Sequence, residues 1–350
     1  MWKFGIIGCG NIANVHAEAI NDIDNAQLIA VYGRHEEKAA QFAAKYNIDA
    51  YADLDQMLLR DDIDAVAITT PSGYHLEPTI AAAKQRKHII VEKPLEVTGV
   101  RVQQMMKICN EYGVTLSGIY NRRFNPAVRK LKAAIDKKRF GTIAMCDAQI
   151  KWYRDQAYYN AGAWRGTKAL DGGGALMNQG IHTIDQLLYF MGDVKRLSAS
   201  TACLTHENIE VEDSAVVILE FVNGARGVIQ ASTSCWSSDG HPAEIHICGD
   251  RGSVFLSDES FRVWDFMDRD PMDDDITSLM ITSNAKGLGA NDPTAINHLG
   301  HIMNFKNFIG ALEGSEELEV TGQESMKAIT LLDAIYQSAE MSGVWVEPNV

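Results

Sequence analysis

A chain of 350 residues is long for a single hydrophobic core, so two domains are the natural expectation. With 46% hydrophobic and 22% charged residues it has an ordinary globular composition, and no apolar run approaches the roughly 20 residues of a membrane-spanning helix. A formal charge of −14 argues against a nucleic-acid partner, which needs a basic surface to displace counterions; a local basic pocket for a small anion remains compatible with it.

The chain enters a strand at Trp2–Ile7 with no leader-like segment before it, which predicts a cytoplasmic protein. Strand and helix signals then alternate as in a parallel sheet. Strands are expected at Phe4–Gly8, Ala26–Tyr32, Ala50–Tyr51, Ala65–Thr69, His88–Glu92 and Thr115–Gly118. Helices are expected at Ala13–Ile20, Glu36–Tyr46, Leu54–Leu59, Glu77–Gln85 and 99–112.

From about residue 142 long strand-like stretches take over: Thr142–Tyr153, Val194–Thr205, Asp213–Val222, Ala225–Ser234, Glu244–Gly249, Ser253–Ser257 and Phe261–Phe266. Tight turns such as Asn223-Gly224 join several of them, as in an antiparallel sheet. One helix, Ala175 to Met191, interrupts the series, Asp265–Asp275 reads as a solvated acidic loop, and Leu299–Ala339 is helical by period. The pattern is therefore an α/β domain with a parallel sheet at 1–122, followed at 123–350 by an α+β domain with a mostly antiparallel sheet. The C-terminal helices are placed back on the first domain or across its ligand crevice.

Gly8-x-Gly10-x-x-Ala13 follows the first strand and opens a helix, the context in which such a loop carries a pyrophosphate. Gly10 lets the backbone approach the anion, and the N–H groups of Asn11 and Ile12 begin the helix. No acid stands at the end of the second strand, where Tyr32-Gly33-Arg34-His35 is followed by Lys38. Arg34 suits a ribose 2′-phosphate or stacks on adenine, so NADP is favoured over NAD. Lys93 ends the buried strand that starts at His88, and an ammonium there can orient a hydroxyl and help take its proton during hydride transfer.

Asn178, His182 and Asp185 stand at i, i+4 and i+7, which on a helix is one face. An imidazole suits proton shuttling near neutral pH, and Asp185 either orients that ring or caps local backbone. Cys9, Cys109, Cys146, Cys203, Cys235 and Cys248 are scattered, with no metal-like His/Cys spacing, so no metal is expected and a reducing compartment is.

Together these residues resemble the Gfo/Idh/MocA family of nicotinamide-dependent oxidoreductases over nearly the whole chain. The carriers are the glycine loop, Thr70-Pro71-x-x-x-His75, Glu92-Lys93-Pro94, Tyr120-Asn-Arg-Arg-Phe-Asn-Pro126 and Gly180-Ile-His182-Thr-Ile-Asp185. The resemblance implies Lys93 and His182 as catalytic pair and Thr70, Pro71, His75, Glu92 and Asn121 around the cofactor. It also implies an α/β Rossmann domain followed by an α+β domain with a large open, mostly antiparallel sheet, whose outer face forms dimers or tetramers.

Many members carry an aspartate four residues before the histidine, where this chain has Asn178, which cannot accept a proton but can bond a substrate hydroxyl. With Tyr158-Tyr159 and Trp164-Arg165-Gly166-Thr167, this is similar to the branch of 3-dehydrogenases of UDP-N-acetylglucosaminuronic acid. That branch implies a basic residue for the diphosphate or uronate, with Lys151, Arg154 and Arg165 as candidates. Arg122 and His301 are further substrate candidates, whereas Tyr120 and Trp164 are either packing residues or sugar platforms. The reading is a hydride transfer between a sugar-like secondary alcohol and nicotinamide. Its rivals are a polyol, inositol or dihydrodiol dehydrogenase and a non-catalytic dinucleotide binder.

Overall fold

The computed structural model describes residues 1–281 and 298–348. The chain divides into two compact units, Met1–Asn121 with Ile296–Met326, and Arg122–Ala295 with Lys327–Val350.

The first unit begins β1 (Trp2–Ile7), α1 (Asn11–Asn21), β2 (Ala26–Tyr32), α2 (Glu36–Tyr46), β3 (Asp49–Tyr51) and α3 (Leu54–Leu58). It continues β4 (Ala65–Ile68), α4 (Leu76–Lys84), β5 (His88–Val91), α5 (Gly99–Tyr112) and β6 (Leu116–Gly118). All strands run parallel in the order β3-β2-β1-β4-β5-β6. Strands covered on both faces read as apolar runs, and β4 (Ala-Val-Ala-Ile) is buried at every position. Helix ends follow local chemistry: Glu36 and Glu37 open α2 and Lys45 closes it, each sign complementing the helix dipole. The core of this unit joins Phe4, Ile6, Ala17 and Ile20 to Phe305, Phe308 and Ile309 from far along the chain.

The second unit holds α6 (Pro126–Asp136), β7 (Ile143–Lys151), α7 (Gln156–Asn160), α8 (Ile181–Met191), β8 (Val194–Ala202) and β9 (Ser214–Phe221). It goes on through β10 (Arg226–Ser232), β11 (Glu244–Gly249), β12 (Gly252–Ser257) and β13 (Ser260–Phe266). The remaining helices are α9 (Leu299–Leu312), in the first unit, and α10 (Gly322–Glu340), which contributes to both. The second sheet is ordered β13-β12-β11-β7-β10-β9-β8 and is antiparallel except for the β7–β10 pair. Cys146, Ala148 and Ile150 form the buried face of β7, against which α8 packs.

Two sequence expectations change here. The helix expected from Ala175 to Met191 is two pieces: Ala175–Gln179 is π-helical, with Gln179 N–H donating to Gly174 O at 3.3 Å, and α8 starts only at Ile181. The acidic stretch is not simply solvated. Asp273 pairs with Arg139 at 2.6 Å and accepts from Trp264 at 2.7 Å, and Asp270 meets Lys137 at 3.1 Å. Charges spaced as in a loop find cations on α6 and the turn after it.

Candidate active site

In the first unit the strand order reverses between β1 and β4, the place where open parallel sheets bind ligands outside their carboxyl ends. Gly8 follows β1 with φ +106°, and a Cβ there would lie 3.0 Å from the Thr69 backbone. Only glycine fits. Gly10 caps α1 without a side-chain bond, and nothing lies within 4 Å of where its Cβ would be. The first N–H groups of α1, starting with Asn11 and half-buried Ile12, therefore face an open cradle suited to a pyrophosphate. Arg34 and Lys38 are exposed beyond β2. Burial pushes the Cys9 thiol up and the Lys38 ammonium pulls it partly back, which puts Lys38 near the glycine loop. This donor set fits a nicotinamide dinucleotide.

Thr70 and Pro71 are half-buried beyond β4, and the Thr70 hydroxyl donates to Tyr74 O at 2.9 Å. His75 is buried, with Nε2 2.9 Å from Thr70 O and Nδ1 3.0 Å from Pro94 O. Its ring ties two loops together. Glu92 and Lys93 stand directly after β5. Glu92 is buried; its Oε1 is 2.8 Å from His16 Nε2 and 3.4 Å from His301 Nε2, and its Oε2 accepts from Lys93 N–H at 3.0 Å. Burial would raise the Glu92 carboxyl, but the bonds from His16 and then His301 outweigh it and hold the group well below its ordinary range. Asn121 Nδ2 donates to His301 Nδ1 at 3.3 Å. His301 is thus buried with both nitrogens engaged by protein. His16 was missed: an imidazole on the buried face of α1 looks like packing, and its spacing from the glycine loop was the available signal.

In the second unit His182 is half-buried in the first turn of α8. Asp185 is held by Arg123: its oxygens accept from Arg123 Nε at 2.8 Å and Nη2 at 2.6 Å, in a pair almost wholly buried. Asn178 lies in the π-helical turn, not on the α-helix with His182, and its amide donates to Asp171 while accepting from Gln179. Glu212 sets that turn by accepting from Gly174 N–H at 3.1 Å and Leu176 N–H at 2.8 Å. Burial lifts its carboxyl above the ordinary range despite these bonds.

Gln179 also donates to Tyr158 Oη at 2.9 Å. The Tyr158 ring has Arg165 over it at 4.3 Å and Arg154 at 5.6 Å. Burial raises the Tyr158 phenol, and the Arg165 cation opposes that. A cleft of about 460 Å³ opens here, lined by Tyr153, Arg154, Asp155, Tyr158, Trp236, Ser237 and Ser238. Trp236, 72% exposed, was missed, although an aromatic followed by two serines in a loop after a strand was visible in the sequence. Trp164 lies half-buried with Arg165 at 5.6 Å, whereas Tyr120 is fully buried.

Two further candidates lie elsewhere. Lys151 is on the face of β7 opposite α8, donating to Gln149 at 3.0 Å in a separate cleft with Glu244 and Arg262. Strand alternation forbids it from sharing the α8 side. Arg122 has Asp258 at 3.6 Å, beyond the end of β12.

A glycine-loop parallel sheet with a lysine after β5, joined in one chain to a large sheet with a histidine-bearing helix packed on it, defines a dinucleotide-dependent oxidoreductase. Residues 2–120 match the model of the oxidoreductase family with an NAD-binding Rossmann fold, and residues 128–255 match the GFO/IDH/MocA C-terminal domain. The chain belongs to the Gfo/Idh/MocA family. It is 32% identical to the WlbA dehydrogenase of Bordetella pertussis, solved with NADH and UDP-GlcNAcA, covering 100% of this chain and 98% of that one at a TM-score of 0.91. It is 32% identical over 262 residues to myo-inositol 2-dehydrogenase of Thermotoga maritima, covering 72% of this chain and 74% of that one. It is 30% identical to a scyllo-inositol 2-dehydrogenase (NADP(+)) of Bacillus subtilis, over 73% of this chain and 76% of that one.

Proposed function

We propose that this enzyme moves a hydride between a secondary alcohol of a nucleotide sugar, at C3, and a nicotinamide dinucleotide. The observation that carries the nucleotide part is the Tyr158 cleft. It offers an exposed indole for a base and the Arg154 guanidinium for a diphosphate, with Arg165 over the ring of its Tyr158, and it is hydrogen-bonded through Gln179 to Asn178, just before His182. The WlbA dehydrogenase, matched over the whole chain, was solved with a ligand of this kind.

The bound dinucleotide supplies the hydride acceptor or donor. The first turn of α1 holds its pyrophosphate, and Arg34 with Lys38 meets the adenosine ribose, favouring NADP. Lys93 polarises the reacting oxygen and steadies the negative charge that develops on it. His182 takes or returns the hydroxyl proton. Asn178, lacking a basic site, bonds a substrate hydroxyl. The enzyme acts in the cytoplasm, as a dimer or tetramer paired through the outer face of the second sheet.

The test is turnover read at the nicotinamide absorbance with UDP-N-acetylglucosaminuronic acid and myo-inositol, each with NAD and NADP. Saturation by the nucleotide sugar supports the proposal. Turnover of inositol alone, as the T. maritima relative's name suggests, replaces it with the polyol reading. A tenfold or greater preference for NAD, about 1.4 kcal/mol, overturns the ribose assignment.

A further inference from the structure

We infer that His16 and His301 are positioning residues for Lys93: both imidazoles hold one oxygen of Glu92, whose other oxygen fixes the Lys93 backbone. The inference rests on the role given to Lys93 above. His16 comes from α1, His301 from α9 and Glu92 from the end of β5, so one buried carboxylate ties the glycine-loop helix and a C-terminal helix to the lysine turn. The side chains of His16, His301 and Glu92 are 0%, 4% and 8% exposed.

The proton positions follow from the partners. Asn121 donates to His301 Nδ1, which leaves the ring proton on Nε2, facing Glu92. Burial pushes the His16 imidazolium down, and Glu92 offsets this only in part, so His16 is a neutral ring donating from Nε2. The titratable side chains bonded to Glu92 are His16 from α1 and His301 from α9, and Lys93 meets it through its backbone N–H. The flanking strand ends join this turn at Ile68 and Ile119 through backbone hydrogen bonds. Three N–H donors on one carboxylate are what keep a buried charge affordable. His16 also packs edge-on against Phe305 at 5.3 Å and tilted against His301 at 5.5 Å, which restricts its ring. The same three groups lie within 4.8 Å of one another and are of types that bind divalent cations, so a metal is the alternative to exclude.

The experiment compares His16→Leu with His16→Gln, and His301→Leu with His301→Gln, because the glutamine amide can still donate where leucine cannot. Turnover of the more active sugar in the panel is followed against pH, with dinucleotide affinity measured by fluorescence. The Leu variants should lose about 10²-fold in kcat while dinucleotide affinity stays within about threefold, as expected when a reacting group is misplaced. They should also gain an acid limb. With a donor gone, the Glu92 carboxyl rises from its depressed position and activity is lost as pH falls through the new value. The Gln variants should recover to within about tenfold of the parent without that limb.

Leu and Gln variants equally impaired with no new limb at either position overturn the inference, as does stoichiometric zinc in the purified parent that both His16 variants lose. Should the His16 variants not fold, the His301 pair decides alone. Failure of the underlying reading is distinct: Lys93→Met would then keep near-full turnover.

Discussion

Lys93 is half-buried at the end of β5, with its backbone N–H fixed by Glu92. Lys93→Met keeps most of the stem and removes the charge, so turnover should fall about 10²- to 10³-fold while the dinucleotide still binds. His182→Ala should cost about 10²- to 10⁴-fold if the imidazole carries the proton. Steady-state rates beside dinucleotide titrations check both, and a loss of only a few-fold at His182 would return that ring to a packing role. Single residues differed in how readable they were. Lys93 stood out because a charged pair and a proline end a buried strand. His16 did not, since a buried imidazole among alanines breaks no pattern. Lys151 was chosen for its charge, although alternation along β7 already assigned it to the same face as Met145 and Gln149.

At the scale of elements, the turn before α8 shows what one sequence leaves hidden. The i, i+4, i+7 spacing assumed regular α-geometry, but Glu212, more than thirty residues on, accepts the N–H groups of Gly174 and Leu176 and holds a π-helical turn instead. Gly174 permits this approach, because a Cβ there would lie 1.9 Å from Glu212 O. A tertiary partner of this kind leaves no local periodicity. By contrast β2 and β11 were readable to the residue, since their runs are bounded by turn residues. The Asp185–Arg123 pair makes a prediction at this scale. Asp185→Asn should destabilise the fold by about 3–5 kcal/mol, because Arg123 keeps a buried charge without its carboxylate. Chemical denaturation measures it, and the double replacement Arg123→Met with Asp185→Leu should cost less. Equal losses would show that the pair's charge is not what matters.

For the whole molecule, both sheets and their strand directions were legible as classes, because buried parallel strands and hairpin-joined alternating strands leave different patterns. Among the described residues no helix is long and apolar enough to cross a membrane. The outer face of the second sheet exposes Val216 and Ile218 on β9 and Met145 on β7, at 53%, 49% and 44%. Sedimentation should therefore give a mass at least twice 38.6 kDa, and Ile218→Glu should shift it toward the monomer. A parent sedimenting as a monomer at micromolar concentration would remove the proposed pairing.

Phe305, Phe308 and Ile309 close the core that Phe4 and Ile6 begin. During vectorial synthesis the amino-terminal sheet leaves the ribosome long before these aromatic side chains exist, so its apolar flank must wait for some 180 further residues from Asn121 onward. The nucleotide-binding half is thus a module in space but not along the polypeptide. Its maturation waits on the synthesis of α9.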